Sequence, residues 1–558
     1  MSSRLGRVST LGLVGLLALA GCSSTQKEPL AQVQIGQAST DNIRAHMAYL
    51  ASDELTGRFP GTPGHEAASE YIAQEFAQYG LKPAGTDGFM QRLVLRKGKL
   101  DQTSPQLTIR TANTETELDY PKQFMTSISM NDTQVDITAE AVFVGYGIVA
   151  PEFGINDFAN VDVVGKIIVR LPGKPKALLT DVGAHLASSS MRRKYAEDAG
   201  AIGVIVISDP EHEETRPYSR QLNYIHSERM DWLNADGNAS SASTQILGGA
   251  YLPIPSAQIL FANAPQSLDS VYEKMANDEV IDGFALNASV TIKARSSHED
   301  ITSPNVVGMV EGSDPILKNE YVLYSAHSDH LGIGKSVKKD KINNGALDNA
   351  IGTAVMLETA RMFAQLPQKP KRSMLFVAVT AEEKGLLGSD YYAQNPTVPL
   401  ESIVANVNLD MPLITFNFAD VIAFGAEHST MGQYVERATA NANIALTPDP
   451  WPQMNLFTRS DHYSFVKQGI PAIFLITGIT SFDADDDAEN VLMNFLKTNY
   501  HTPQDDMNQE FHWGAAYNFT QVNFNIGLEV ANADDRPRWY PESFFGQTFG
   551  KAYNQIAQ

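Results

Sequence analysis

The chain predicts an α/β fold, a sheet with helices on both faces, on two observations. From about Thr291 onward, strand-like runs alternate with helix-period segments, the pattern of such sheets. Metal-ligand residue types fall just after or at the end of several runs, where open α/β sheets gather their ligands. Strands are expected at Tyr321 to Ser325, Met374 to Val379, Ile403 to Leu409, Val421 to Phe424 and Ala472 to Ile476. Helices are expected at Ala350 to Leu366, Leu386 to Gln394, Met431 to Asn443, Ala488 to Leu496 and Ala515 to Ala533.

Ahead of that segment the elements read in order. Residues 1–21 form an export signal: Arg4 and Arg7 give a positive start, and Leu11 to Ala20 an apolar run shorter than the roughly 20 residues of a membrane span. The run ends in Leu19-Ala20-Gly21-Cys22, which resembles a bacterial lipoprotein signal. It predicts a lipid anchor on Cys22 in the bacterial cell envelope, facing the periplasm or the exterior. Cys22 is the only cysteine, so no intrachain disulfide is expected. Residues 22–37 read as a tether. Residues 38–134 open the main domain. Ser39-Thr40-Asp41 starts a helix before Ile43, Met47 and Leu50. Gly57 to Gly64 is a turn-rich loop, and His65 to Tyr79 an amphipathic helix. Leu93 to Leu95 and Leu107 to Ile109 look like strands.

Residues 135–282 change character. They carry a strand into a turn at Ala141 to Gly147, a buried strand at Ile167 to Leu171, a helix at Arg192 to Ala199 and a strand at Gly203 to Ile207. This reads as an inserted β-rich module with no catalytic cluster. Residues 283–535 hold the candidate site, and 536–558 form a tail.

A length of 558 residues exceeds one ordinary domain. The 43% hydrophobic content is enough for a sizeable core. Lys+Arg number 42 against 64 Asp+Glu, a net charge of −22. That surface argues against nucleic acid, whose backbone needs basic contacts.

Five residues carry the chemistry. They are His327 in Ala326-His327-Ser328-Asp329-His330, Asp348 before Asn349, Glu383 in Ala381-Glu382-Glu383-Lys384, Asp410 in Asn408-Leu409-Asp410-Met411, and His501 in Tyr500-His501-Thr502-Pro503. Singly each has a bland reading: Asp348 as a helix cap, or Glu382-Glu383 as charges favouring a helix start. Together, two imidazoles and three carboxylates suit a pair of zinc ions sharing one bridging carboxylate. Glu382 adjoins a ligand without needing to be one, the place of a general base.

The whole resembles the di-zinc aminopeptidases of peptidase family M28. The resemblance rests on the five residues, on Leu50-Ala51-Ser52-Asp53-Glu54-Leu55-Thr56-Gly57-Arg58, on Glu382 to Ser389 and on Tyr500-His501-Thr502. It implies the zinc exopeptidase fold, a mixed, mostly parallel sheet. The inserted module resembles a protease-associated domain, which either shapes access to the site or serves as a structural insert. The resemblance further implies two Zn2+, with Asp348 bridging, His327 and Asp410 completing one ion, and Glu383 and His501 the other. Asp329 would orient His327 through its second ring nitrogen. Glu382 would move a proton from water to the leaving amine, and Tyr500 would either stabilise the oxyanion or be structural. Arg459-Ser460-Asp461-His462 resembles a substrate-side loop, and the Asp348–Asn349 bond is expected to be cis. Leu347 and Ile351 depart from the commoner pattern at positions that are not ligands.

The implied activity is removal of amino acids from peptides with free N-termini. A glutaminyl cyclase-like acyltransferase, using one zinc, and a glutamate carboxypeptidase-like exopeptidase are the alternatives. The second needs an arginine-rich carboxylate pocket, and only Arg459 lies near the motifs.

Overall fold

The protein is seen here as a computed structural model that describes residues 36–178, 180–334, 340–484 and 486–556. The export signal and Cys22 lie outside the described residues. Among the described residues no helix is long and apolar enough to cross a membrane.

Strand Tyr321–His327 is the centre of the main sheet. It pairs in parallel with Ser373–Val379 on one side and Ile403–Leu409 on the other. Ala472–Thr477 extends the sheet in parallel, and Asp420–Phe424 then runs antiparallel. Beyond Ser373–Val379 the sheet continues antiparallel through Phe284–Val310, Met90–Leu100 and Arg229–Trp232. It is a mixed sheet, with its parallel pairs concentrated at the centre. Every residue of Ser373–Val379 and Ile403–Leu409 is buried, as expected of strands covered on both faces.

Consecutive residues of Tyr321–His327 point to opposite faces and meet opposite layers. Tyr324 Oη donates to the Asn523 carbonyl at 2.6 Å, in helix Trp513–Asn532. Ser325 Oγ donates to Asn408 Oδ1 at 2.7 Å, and Asn408 Nδ2 to Ser460 Oγ at 2.7 Å, beside the short helix His462–Val466. Helix Thr40–Leu50 begins where its sequence signal stands, with Ser39 Oγ accepting from the Asn42 amide. Helix Pro63–Tyr79 has Thr62 as its cap, proline in its first turn and Gly80 in the left-handed region at its end. The strands and helices expected between 291 and 533 are all present, with ends moved by a few residues.

A second ladder surrounds the first half of Phe284–Val310. Gln106–Thr111 and Gln134–Phe143 flank it antiparallel. From Gln134–Phe143 the ladder runs in parallel through Ile167–Arg170, Gly203–Ile207 and Gly248–Leu252. This region has its own apolar core, including Phe143, Val169, Ile205, Leu252 and Leu286.

The boundaries expected at 134/135 and 282/283 do not coincide with the edges of the ladders. The second ladder already includes Gln106–Thr111, and it shares Phe284–Val310 with the main sheet. The 27 residues of that strand change burial pattern midway, from alternating to continuous, so no single period marks them as one strand.

Candidate metal centre

The carboxyl ends of the parallel strands deliver the site. His327 ends its strand, Asp410 follows Ile403–Leu409 directly, and Glu382 and Glu383 open the turn after Ser373–Val379. Asp348 lies in the irregular turn before helix Ile351–Gln365, and His501 follows helix Ala488–Thr498. Ala381, Met411 and His501 all have positive φ, at 54°, 44° and 59°. Non-glycine residues held there cost of order 1 kcal/mol or more and gather at functional sites. Gly345 has φ 60°, and a Cβ on it would stand 2.2 Å from the Asp348 carbonyl. The Asp348–Asn349 bond is cis, as expected.

The five residues expected from the sequence converge. Asp348 uses its oxygens separately: Oδ1 is 3.3 Å from His327 Nε2 and Oδ2 is 3.2 Å from His501 Nε2. His327 Nε2 is also 3.2 Å from Asp410 Oδ1, and His501 Nε2 is 3.2 Å from Glu383 Oε2. Two groups of donors therefore share Asp348. One is His327, Asp348 and Asp410; the other holds His330, Asp348 and Glu383, with His501 alongside.

His330 was not among the expected ligands. It is fully buried, with Nδ1 2.6 Å from Glu383 Oε1. The second histidine in His327-Ser328-Asp329-His330 was its only signal.

Asp329 differs in detail from the expectation. His327 Nδ1 lies 3.2 Å from the Asp329 main-chain oxygen, while the carboxylate is 3.9 Å away. That carboxylate instead accepts from the Glu382 and Glu383 amides, at 3.0 and 3.4 Å. One residue thus ties the turn after Tyr321–His327 to the turn after Ser373–Val379.

Other supports became visible only in three dimensions. Asp505 accepts from the Leu347 and Asp348 amides at 2.9 and 3.0 Å. Ser460 Oγ donates to Asp410 Oδ2 at 2.6 Å. Asn349 Nδ2 donates to the Leu409 carbonyl at 2.9 Å. Arg58, 1% exposed, spends its guanidinium on carbonyls: Ser328 at 3.0 Å, Asn344 at 2.6 Å, Gly345 at 3.1 Å, and Leu50.

Acids and imidazoles crowd one another at the site. Burial raises Glu382 far above the usual carboxylate range, and Glu383, Asp461 and Asp410 add to it against His327. Burial lifts Asp461 to about 7. Burial works against charge on His501 too, but hydrogen bonds to Asp348 and Glu383 outweigh it and raise the imidazole to about 10. Crowded buried carboxylates of this kind are costly unless paired or metal-bound. Imidazole nitrogens and carboxylate oxygens are a donor set that zinc accepts, and two groups of them share Asp348.

A cavity of about 310 Å³ opens onto His327, Asp348, Glu382 and Asp410. Its far wall is apolar and includes Leu413, Trp451, Leu456, Phe474, Ile476 and Leu492; Tyr500 and Arg459 also line it. The Tyr500 ring stacks on His501 with centroids 3.7 Å apart. Burial, then Asp348 and Glu383, raises the Tyr500 phenol well above its ordinary value, so it remains a neutral donor.

The family model described as Peptidase family M28 matches residues 305–526. Among curated proteins, the Mus musculus "Aminopeptidase NAALADL1" is 26% identical over 39% of this chain and 32% of its own length. An Aspergillus fumigatus "Probable leucine aminopeptidase 2" is 26% identical over 54% of this chain and 57% of its own. The chain thus spans between about a third and just over half of these relatives' lengths. Among solved structures, an aminopeptidase from Aneurinibacillus sp. strain AM-1 superposes with a TM-score of 0.50 at 20% identity, covering 89% of this chain and 94% of that one, a likeness of fold. Residues 305–526, which resemble the model described as Peptidase family M28, hold the five converging residues and Glu382.

Proposed function

We propose that the protein is a zinc-dependent aminopeptidase with two Zn2+, removing N-terminal residues from peptides with free N-termini. The observation that supports this best is Asp348, whose two oxygens face two different imidazoles. His327, Asp348 and Asp410 would hold one ion, and Asp348, Glu383 and His501 the other. When bound, the metals supply an activated water and a polarised carbonyl.

The protein's own residues do the rest. Glu382 lines the cavity beside both donor groups, and its raised proton affinity suits a group that takes a proton and returns it to the leaving amine. The Tyr500 phenol offers a proton to an oxyanion. The carboxylates lining the cavity suit a free α-ammonium, and the wall of Leu413, Trp451 and Phe474 suits an apolar first side chain. Arg459 is the one observation that favours a carboxypeptidase-like reading, because a guanidinium there can hold a substrate carboxylate.

The deciding experiment is hydrolysis of aminoacyl reporters with free N-termini beside N-acetylated and C-terminal glutamate reporters, with zinc analysis of the same sample. Cleavage of the acetylated set, or of C-terminal glutamate alone, would refute the aminopeptidase reading. One zinc with cyclisation of N-terminal glutamine would favour the acyltransferase.

The cell-envelope location is a proposal of the same standing, supported by the sequence around Cys22. Fatty-acid labelling of wild type and Cys22→Ser tests it: equal label on both excludes the lipid anchor.

A further inference from the structure

A concentration of arginines lies far along the sequence from the metal centre's motifs. A cavity of about 470 Å³ sits on one face of the second ladder. Its floor is built in register: Arg170, Val206 and Tyr251 stand side by side on three parallel strands, with Met125 next in the row. Helix Ser189–Asp198 lies over this floor and contributes Arg192 and Arg193, and Arg229 enters from the edge strand Arg229–Trp232.

Four arginines therefore line one cavity, and no aspartate or glutamate lines it, in a chain with 42 basic and 64 acidic residues. Asp231 acts on Arg229 and Asp157 on Arg192, but both carboxylates also accept hydrogen bonds from other groups. Asp231 accepts from Ser240 and Ser241, and Asp157 accepts from the Ile148 amide. Among the described residues none of the four guanidiniums forms an ion pair, and Arg192 Nε is buried without a hydrogen-bond partner. Burial and then Arg192 push Arg170 below its ordinary range, and burial and then Arg193 do the same to Arg229, with Asp231 acting against them. Ser243 Oγ accepts from the Gln245 and Ile246 amides at 2.9 and 2.7 Å, which leaves its O–H to donate.

We propose that this cavity is a binding site for a small ligand carrying two or more oxyanion groups, carboxylate or phosphoryl. Guanidiniums take both groups through paired, charge-assisted hydrogen bonds. A single anion would leave most of the cluster's charge unmatched, so the ligand is multiply charged. The volume is that of an ordinary small-molecule pocket, roughly 300–1,000 Å³.

The test titrates the full-length protein by calorimetry at fixed ionic strength with tricarballylate and with fructose 1,6-bisphosphate, both weak zinc chelators. Arg193→Ala/Arg229→Ala serves as the variant, since neither residue is in the metal centre, and Arg193→Lys/Arg229→Lys as the charge-conserving control. Saturable binding that falls at least tenfold in the alanine pair, and less in the lysine pair, is expected. Binding of tricarballylate alone identifies a polycarboxylate site, and binding of the bisphosphate alone a phosphoryl site. Equal affinity in the alanine pair, or no saturation by either probe below about 10 mM, near −2.7 kcal/mol of binding, overturns the proposal. Unchanged melting of the unliganded alanine pair excludes misfolding as the cause of lost binding.

Discussion

The cavity at the edge of the main sheet is lined by carboxylates and imidazoles, and the cavity on the second ladder by arginines. Both hold more charge of one sign than their surroundings neutralise, but they are built differently. Around the metal centre, charged and polar groups beneath the site are satisfied by protein: Arg58 by four carbonyls, Asp505 by two amides, Asp329 by two amides. The buried groups left without a hydrogen-bond partner there include His330 and Asp461. In the arginine cavity, Arg170 donates to the Leu171 carbonyl at 2.9 Å and Arg192 to the Gly173 carbonyl, but no acidic side chain lines it. The first is a preorganised frame of hydrogen bonds beneath carboxylates and imidazoles; the second is a basin lined by four arginines. They are not remote through the fold. Arg229 opens a strand whose Trp232 packs with Ala381, the residue before Glu382, and Trp232 Nε1 donates to Asp390 Oδ2 at 3.0 Å.

The sharpest way to break the comparison is to ask whether the excess carboxylates have separate tasks. Glu382→Gln should lower turnover by about 10²–10⁴ while zinc per protein stays unchanged. Loss of zinc with Glu382→Gln would show that the carboxylate is a ligand instead. Glu383→Gln should weaken zinc binding on the order of tenfold or more, because a neutral amide replaces a charged oxygen, and added zinc should restore part of the turnover. Zinc titration of both variants separates the two roles.

Two arginines sharpen the contrast in the frame itself. Arg58→Met would strand four buried carbonyls, so denaturant unfolding should show a loss of about 3 kcal/mol or more. Arg193→Ala, at a residue with no ion pair among those described, should stay within about 0.5 kcal/mol of wild type. Similar losses in both would mean that the second cavity is as tightly framed as the first.

The smallest effect concerns Asp181, at the seam near Glu427 and His428. Burial, then Glu427 and Asp449, raises its carboxyl from 3.8 to about 7. A raised carboxyl contributes stability below its unfolded value and loses it as pH rises through the folded value. Asp181→Asn should therefore melt higher than wild type at pH 8 and no higher at pH 4. A constant difference across that range would assign the effect to something other than this titration.

How much of this was legible beforehand depends on how each residue announces itself. His327, Asp410 and Glu383 end apolar runs, where a polar ligand type stands out against its neighbours. Asp505 and Arg58 carried no such mark. Asp505 reaches the Asp348 amide across 157 positions, and Arg58 reaches the Gly345 carbonyl across 287. Such partnerships exist only once the chain has folded. The arginine cavity was illegible for the same reason: Arg170, Arg192, Arg193 and Arg229 sit on three different elements, and only strand register and a crossing helix bring them together. The strand Phe284–Val310 escaped because its first half alternates and its second half is buried throughout.

That strand also bears on the order in which the molecule can assemble. A chain emerging from its N-terminus releases Met90–Leu100, Gln106–Thr111 and Gln134–Phe143 before Phe284–Val310, and each of them pairs with it. Ser373–Val379, which forms the other side of its last residues, comes later. The second ladder can therefore close first, leaving one finished edge, Val306 to Val310, exposed and in register. The strands that carry Glu382, His327 and Asp410 are then added to a template already set, consistent with domains folding from the N-terminal side during synthesis.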